Sequence, residues 1–252
     1  MIVTFLGTGT SQGVPVIGCQ CDVCKSLDFR DKRLRSSAHI QIGDLSVVID
    51  TGPDFRQQML TSRISRLSAV LFTHEHKDHT AGLDDIRAFN YLQKEQIPVY
   101  ADGRTLARLK SDFDYAFDNP YPGVPQVDFR MFENKPFKLG EVEIVPVRVM
   151  HHKLPIYGFR IKDFTYITDA KSIEDHEIEK IKGTKVLALN ALRIEEHISH
   201  FSLGEALQMI RRIGPEKAYL THISHRLGLH KEVESRLPEN VFIAYDGLKV
   251  EI

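Results

Sequence analysis

The chain has 252 residues, 42% hydrophobic and 27% charged, with 33 basic against 34 acidic side chains and a net charge of -1. Such a length buries a large core and suits one domain spanning 1–252. Balanced charge gives no global basic field to attract nucleic acid, and no apolar run approaches the ~18 residues of a membrane span.

Read in chain order, Ile2–Leu6 is a strand that begins at once. No basic region and long apolar stretch precede it, so a signal peptide is not expected and the cytoplasm is the expected compartment. Gly7-Thr8-Gly9-Thr10-Ser11-Gln12-Gly13 follows that strand without a Gly-Lys-Ser/Thr ending. It reads as a tight turn approaching a site rim, not as a nucleotide P-loop. All three cysteines fall in Cys19-Gln20-Cys21-Asp22-Val23-Cys24. An odd, tightly spaced set is a poor disulfide framework and suits a metal, with a fourth ligand from elsewhere.

His39–Ile42 and Ser46–Asp50 read as a hairpin about Gly43-Asp44. The strand Ala69–Thr73 leads into Thr73-His74-Glu75-His76-Lys77-Asp78-His79. Four metal-capable side chains lie within six positions here. Side chains two apart on a strand share a face, so His74 and His76 are expected on one ion, and Asp78 and His79 on a second. Imidazole and carboxylate suit zinc, manganese or iron. Solvated surface histidines are the plain alternative, which the density and the strand-end placement disfavour.

Helices are expected at Ala81–Leu92, Thr105–Asp112, Ile173–Ile181, Leu203–Ile213 and His230–Arg236, with Ser202 and Glu205 as a capping box on the fourth. Further strands are expected at Pro98–Ala101, Val142–Val149, Tyr157–Ile161, Thr165–Thr168, Val186–Asn190, Ala218–Thr221 and Val241–Tyr245. Asp246-Gly247 reads as a hairpin turn into Leu248–Ile252. The proline-rich stretch 118–136 reads as irregular, a lid or a surface crossover. Hairpins first and helix-alternating strands later predict an α/β sandwich of two mixed sheets with outer helices.

Single metal-capable residues recur at strand ends: His151 with His152, Asp169, and His222. Asp169 is the natural bridge between two ions, His151 completes the ion of His74 and His76, and His222 that of Asp78 and His79. Such a two-metal site makes hydroxide near neutral pH and clamps both oxygens of a displacement. His152 points to the other face and reads as non-ligating, and Arg193 reads as a solvated loop residue.

The motif His74-Glu75-His76-Lys77-Asp78-His79, with Gly82, His151, Asp169 and His222, resembles the metallo-β-lactamase superfamily over nearly the whole chain. That resemblance implies an αββα sandwich with a dinuclear site, and Asp50-Thr51-Gly52 matches a supporting segment, so Asp50 is expected behind the ligands. Gly7–Pro15, Cys19–Cys24 and Leu220-Thr221-His222-Ile223-Ser224-His225 resemble more narrowly the cyclic phosphodiesterases of the bacterial carbon–phosphorus lyase pathway, which open 5-phosphoribosyl 1,2-cyclic phosphate. The resemblance implies two active-site ions (Mn2+ or Zn2+), a structural zinc on Cys19, Cys21, Cys24 and His225, a small phosphorylated substrate and a homodimer. It points to His200 as proton donor or phosphate ligand, with His197 more an exposed loop residue and Asp78 as a ligand that also orients the nucleophile. A tRNA 3′-processing endonuclease of the same fold is the alternative; neutral charge and no visible basic arm oppose it. Thioester hydrolase, lactamase and non-catalytic metal-binding accessory readings stand further off.

Overall fold

The computed structural model describes residues 1–117 and 122–252. In chain order the strands are β1 (Ile2–Gly7), β2 (Ser37–Ile42), β3 (Leu45–Ile49), β4 (Ala69–Leu71), β5 (Ile97–Ala101), β6 (Val127–Met131), β7 (Phe137–Leu139), β8 (Val142–His151), β9 (Leu154–Ile161), β10 (Phe164–Ile167), β11 (Val186–Asn190), β12 (Lys217–Thr221), β13 (Val241–Ile243) and β14 (Lys249–Glu251). The helices are α1 (Asp22–Lys25), α2 (Phe55–Ser62), α3 (Lys77–Thr80), α4 (Arg87–Gln93), α5 (Gly103–Asp112), α6 (Asp175–Ile181), α7 (Leu203–Ile213) and α8 (His230–Glu234).

The chain divides into two compact units. The first holds Met1–Gly7, Arg35–Glu133 and Gly247–Glu251; the second holds Thr8–Leu34 and Asn134–Asp246, with Ile252. Each unit contains one mixed sheet. The order in the first is β14-β1-β2-β3-β4-β5-β6, and in the second β13-β12-β11-β10-β9-β8-β7. In the first sheet β14, β1, β2 and β3 pair antiparallel, and β3 through β6 pair parallel. The second repeats this division, with β7 through β10 antiparallel and β10 through β13 parallel.

Local composition explains the split. β4 and the first four residues of β11 are continuous apolar runs, and both strands are buried at every position, as parallel strands covered on both faces must be. β8 alternates between buried and half-exposed positions over its second half, 147–151, the period-two pattern of a one-sided strand. In the first unit Phe55, Leu67, Phe72, Leu83 and Ile86 are fully buried; in the second, Ile167, Leu187, Leu189 and Leu220 are. Each such side chain contributes roughly 1.5–3 kcal/mol. These cores hold the carboxyl ends of the parallel strands still, where open α/β sheets place ligands.

Several expectations change. β4 stops at Leu71, so His74 and His76 lie on the following loop and not on a strand. The helix expected over 81–92 is two pieces, a 3-10 turn at Leu83–Ile86 and α4, and the short α3 precedes it. Val127–Met131, inside the stretch expected to be irregular, is a strand paired parallel to β5; residues 118–121 of that stretch lie outside the described residues. Asp246-Gly247 is not a hairpin turn. β13 pairs with β12 in the second sheet and β14 with β1 in the first, and Gly247 N–H donates to Phe5 O. The capping box is present, with Ser202 accepting from Glu205 N–H and Glu205 accepting from Ser202 N–H. Among the described residues no helix is long and apolar enough to cross a membrane.

Candidate metal centres

In the first unit the loop after β4 and the short helix α3 gather His74, His76, Asp78 and His79. His74 Nε2 lies 3.0 Å from His76 Nδ1, and His79 Nε2 lies 3.1 Å from Asp78 Oδ2. Zinc–nitrogen bonds of about 2.0–2.1 Å put tetrahedral ligands about 3.3 Å apart, so both pairs have the spacing of donors on one ion. Buried Asp50, directly after β3, sets this geometry. Its carboxylate accepts from Thr73 N–H at 2.8 Å, Thr73 Oγ1 at 2.8 Å and His79 Nδ1 at 2.7 Å. Because Nδ1 of His79 is the donor, Nε2 keeps its lone pair. The same logic passes through Thr73: its hydroxyl donates to Asp50, so at 3.0 Å it accepts from His74 Nδ1–H. His74 Nε2 is thereby left as a ligand atom. Burial pushes the Asp50 carboxyl above the usual range, and its contacts with His79 and Thr73 oppose that shift.

Thr51 and Gly52 lock the loop against β3. Thr51 N–H donates to His79 O, and Gly82 N–H to Thr51 O, both at 2.8 Å. A Cβ on Gly52 would sit 2.1 Å from Asp78 O, and one on Gly82 2.2 Å from Gly52 O. Only glycine permits that backbone approach.

In the second unit His151, Asp169 and His200 offer ligand atoms within 4.8 Å of one another. His200 Nε2 stands 3.1 Å from Asp169 Oδ1, and His222 Nδ1 3.2 Å from Asp169 Oδ2. His151 Nδ1 donates to Ser199 O at 2.9 Å, which leaves Nε2 of His151 as the ligand atom. Asn190 brackets the Asp169 loop, accepting from Ala170 N–H and donating to Ala170 O. His200 Nδ1 lies 2.9 Å from Ser199 Oγ and 3.2 Å from His197 Nδ1. His197, expected as an exposed loop residue, is half-buried, and burial first, then the neighbouring His200, holds its pKa down.

The cysteines meet His225 within this same unit. Cys19, Cys21, Cys24 and His225 present ligand atoms within 4.8 Å of one another, with Cys19 Sγ and Cys21 Sγ each 3.3 Å from His225 Nδ1. Cys24 rests in a small apolar cluster with Val14 and Val23. The thiols are split: Cys21 is lowered to about 6, by the Cys24 backbone N–H and then His225, while burial raises Cys24 to about 11. Three crowded thiols and an imidazole form a complete tetrahedral zinc donor set.

Two residues weighed from sequence stand apart. His152 is exposed in the turn after β8, and Arg193 donates to Glu195 O and Glu196 O of its own loop. Thr73, Asn190 and Ser199 escaped the sequence reading. Asn190 alone left a signal there, as a polar residue closing an apolar strand.

Residues 46–223 match the family described as "Beta-lactamase superfamily domain". The chain belongs to the β-lactamase superfamily of metal-dependent hydrolases. A structure described as a new diphosphatase from the PhnP family is 38% identical, covering 100% of this chain and 97% of its own with a TM-score of 0.94. The two-sheet metallo-β-lactamase fold expected from the motifs is the fold found. An octanoyltransferase of Porphyromonas gingivalis is 42% identical over 98% of this chain and 51% of its own length. The chain thus spans about half the length of that relative, and a lesser share of the coenzyme PQQ synthesis protein B of Rhodopseudomonas palustris, which is 32% identical over 44% of this chain and 39% of its own. The human short-form tRNase Z shares the fold at 17% identity, a TM-score of 0.72 and coverage of 100% and 99%.

Proposed function

We propose that this chain hydrolyses small phosphoric diesters or diphosphates, with cyclic ribose 1,2-phosphates the first substrate class to test. The observation that carries the reading is His200 set against Asp169 in the unit that also holds the Cys19, Cys21, Cys24 and His225 cluster. The likeness to a PhnP-family diphosphatase supports it.

In this reading His74, His76, Asp78 and His79 of the first unit and His151, Asp169 and His222 of the second hold divalent ions, zinc or manganese. Such ions supply an activated water and stabilise charge on the non-bridging oxygens. Asp50, through His79 and Thr73, keeps the ligand nitrogens unprotonated. His200, its Nδ1 pinned by Ser199, presents Nε2 as the proton donor to the leaving alkoxide, a role worth about 10²–10⁴ in rate. Cys19, Cys21, Cys24 and His225 hold a structural zinc.

The test is turnover by manganese- and zinc-loaded protein on a ribose 1,2-cyclic phosphate, a 2′,3′-cyclic nucleotide, a nucleoside diphosphate ester, an octanoyl thioester and a precursor tRNA. Preferential hydrolysis of the small phosphoesters supports the reading. Cleavage of tRNA alone, or of the thioester alone, overturns it in favour of RNA processing or acyl chemistry, as the names of more distant or longer relatives suggest. His200→Ala is expected to keep its metal and lose most turnover; unchanged turnover refutes that assignment.

A further inference from the structure

A polar cavity of about 270 Å³ lies in the first unit. It sits before the start of β4, whereas the histidine loop leaves the other end of that strand. Pockets for drug-sized ligands run about 300–1,000 Å³, so this one suits a small group. Its floor is a row across three strands: Lys249 of β14 pairs with Thr4 of β1, and Thr4 with His39 of β2. Thr4, His39 and neighbouring Ser46 are 4%, 7% and 2% exposed. Ser46 Oγ donates to Arg66 O at 2.6 Å and lies 2.8 Å from His39 Nε2. With its proton committed to Arg66 O, Ser46 accepts from His39 Nε2–H. The loop after α2 closes the rim with Ser62, Arg63, Ser65 and Arg66.

Charge marks this cavity out. Its lining includes Arg63, Arg66 and Lys249 and no carboxylate, in a chain whose acidic residues outnumber its basic ones. Among the described residues none of these three cations forms an ion pair. Like charges held together without a counterion repel, and Lys249 adds to burial in keeping His39 neutral, down to about 4. A seated anion relieves both effects. Guanidinium forks match phosphate oxygens in pairs of hydrogen bonds, and Thr4, Ser62 and Ser65 add hydroxyls.

We propose that this cavity binds a phosphate group, either free phosphate or the monoester end of a small sugar phosphate, as a site separate from the metal centres. The test follows the His39 ring by NMR in the intact, metal-loaded protein, titrated separately with inorganic phosphate and with ribose 5-phosphate against chloride at matched ionic strength. A saturable shift with inorganic phosphate assigns the free ion, and one with ribose 5-phosphate alone assigns the monoester. Affinity is expected to fall at least tenfold in the Arg63→Ala/Arg66→Ala double variant, whose side chains are exposed and whose fold is checked by circular dichroism. It is expected to persist in His74→Ala, which separates this site from phosphate bound at the metal centre. No His39 shift, a shift equalled by chloride, or binding unchanged in the double variant overturns the proposal. Hydrolytic activity does not enter the readout, so this site and the proposed hydrolysis stand or fall separately.

Discussion

Asp50→Asn is the sharpest probe of the first metal centre, because it changes one atom and few contacts. In the parent the carboxylate accepts three hydrogen bonds, two of them on Oδ2, from Thr73 Oγ1 and His79 Nδ1. With the amide oxygen kept on Thr73 N–H, the new NH2 group faces two donors. The Thr73 hydroxyl can rotate; the His79 ring escapes only by moving its proton to Nε2, the atom beside Asp78 Oδ2. Two hydrogen bonds to a charged group are worth about 3–6 kcal/mol together. Removing a fully buried carboxylate returns several kcal/mol of desolvation, the same burial that pushes the Asp50 carboxyl upward. The two terms oppose each other, so metal-free stability is expected to change by less than about 2 kcal/mol. Metal affinity has no such compensation and is expected to fall about 10–100-fold. Urea unfolding of the metal-free protein and competitive metal titration measure the two separately. Parent-like metal affinity in the variant would refute the tautomer argument, and a loss of stability with affinity intact would recast Asp50 as purely structural.

Gly52→Ala is expected to weaken metal binding and lower the melting temperature, since its Cβ would meet Asp78 O at 2.1 Å. Gly204→Ala, with nothing within 4 Å, serves as the near-neutral control in the same thermal scan. Acid titration of stability tests His39: its folded pKa of about 4 lies below the unfolded value near 6.5. The unfolded chain therefore takes up the proton first, and stability present above pH 6.5 is lost as pH falls toward 4, by about 3 kcal/mol. His39→Gln should flatten that slope in urea midpoints measured across the range. Cys21→Ser is expected to remove one zinc equivalent by elemental analysis and expose the 14–24 loop to proteolysis.

The metal loop was legible because its residue types have few other uses at that density, whatever the backbone beneath them. The supposed strand under His74 and His76 was unnecessary: the loop brings their ring nitrogens to 3.0 Å without it. Strand existence was readable where apolar runs were long, as in Val186–Asn190. What failed was partner choice. Asp246-Gly247 has the chemistry of a tight turn, but whether the next strand returns to its neighbour depends on which edge lies open. Here β1 offers that edge in one sheet while β13 closes the other. Val127–Met131 was hidden for a related reason. It is an edge strand with exposed Arg130 and Met131, and its support comes from β5, far back in sequence. The tautomer-setting contacts were invisible because Ser199 acts on His151 through a backbone carbonyl, which every residue has.

Both units build their donors by one local device. Asp50 follows β3, Asp169 follows β10 and Thr168, and His222 follows β12, each beside parallel pairing. All three adopt left-handed backbone, at φ of 63°, 59° and 54°. Non-glycine residues enter this region at a cost of about 1–2 kcal/mol, with Asp and His among those that tolerate it. A glycine would remove that cost and also the side chain the turn presents at the strand end. The fully buried strands before these turns supply the stability that offsets the strain. Asp or His at all three turns is therefore explained by what the side chains hold, and the positive φ falls on Asp169 and His222, two residues that the strand-end pattern marks in the sequence.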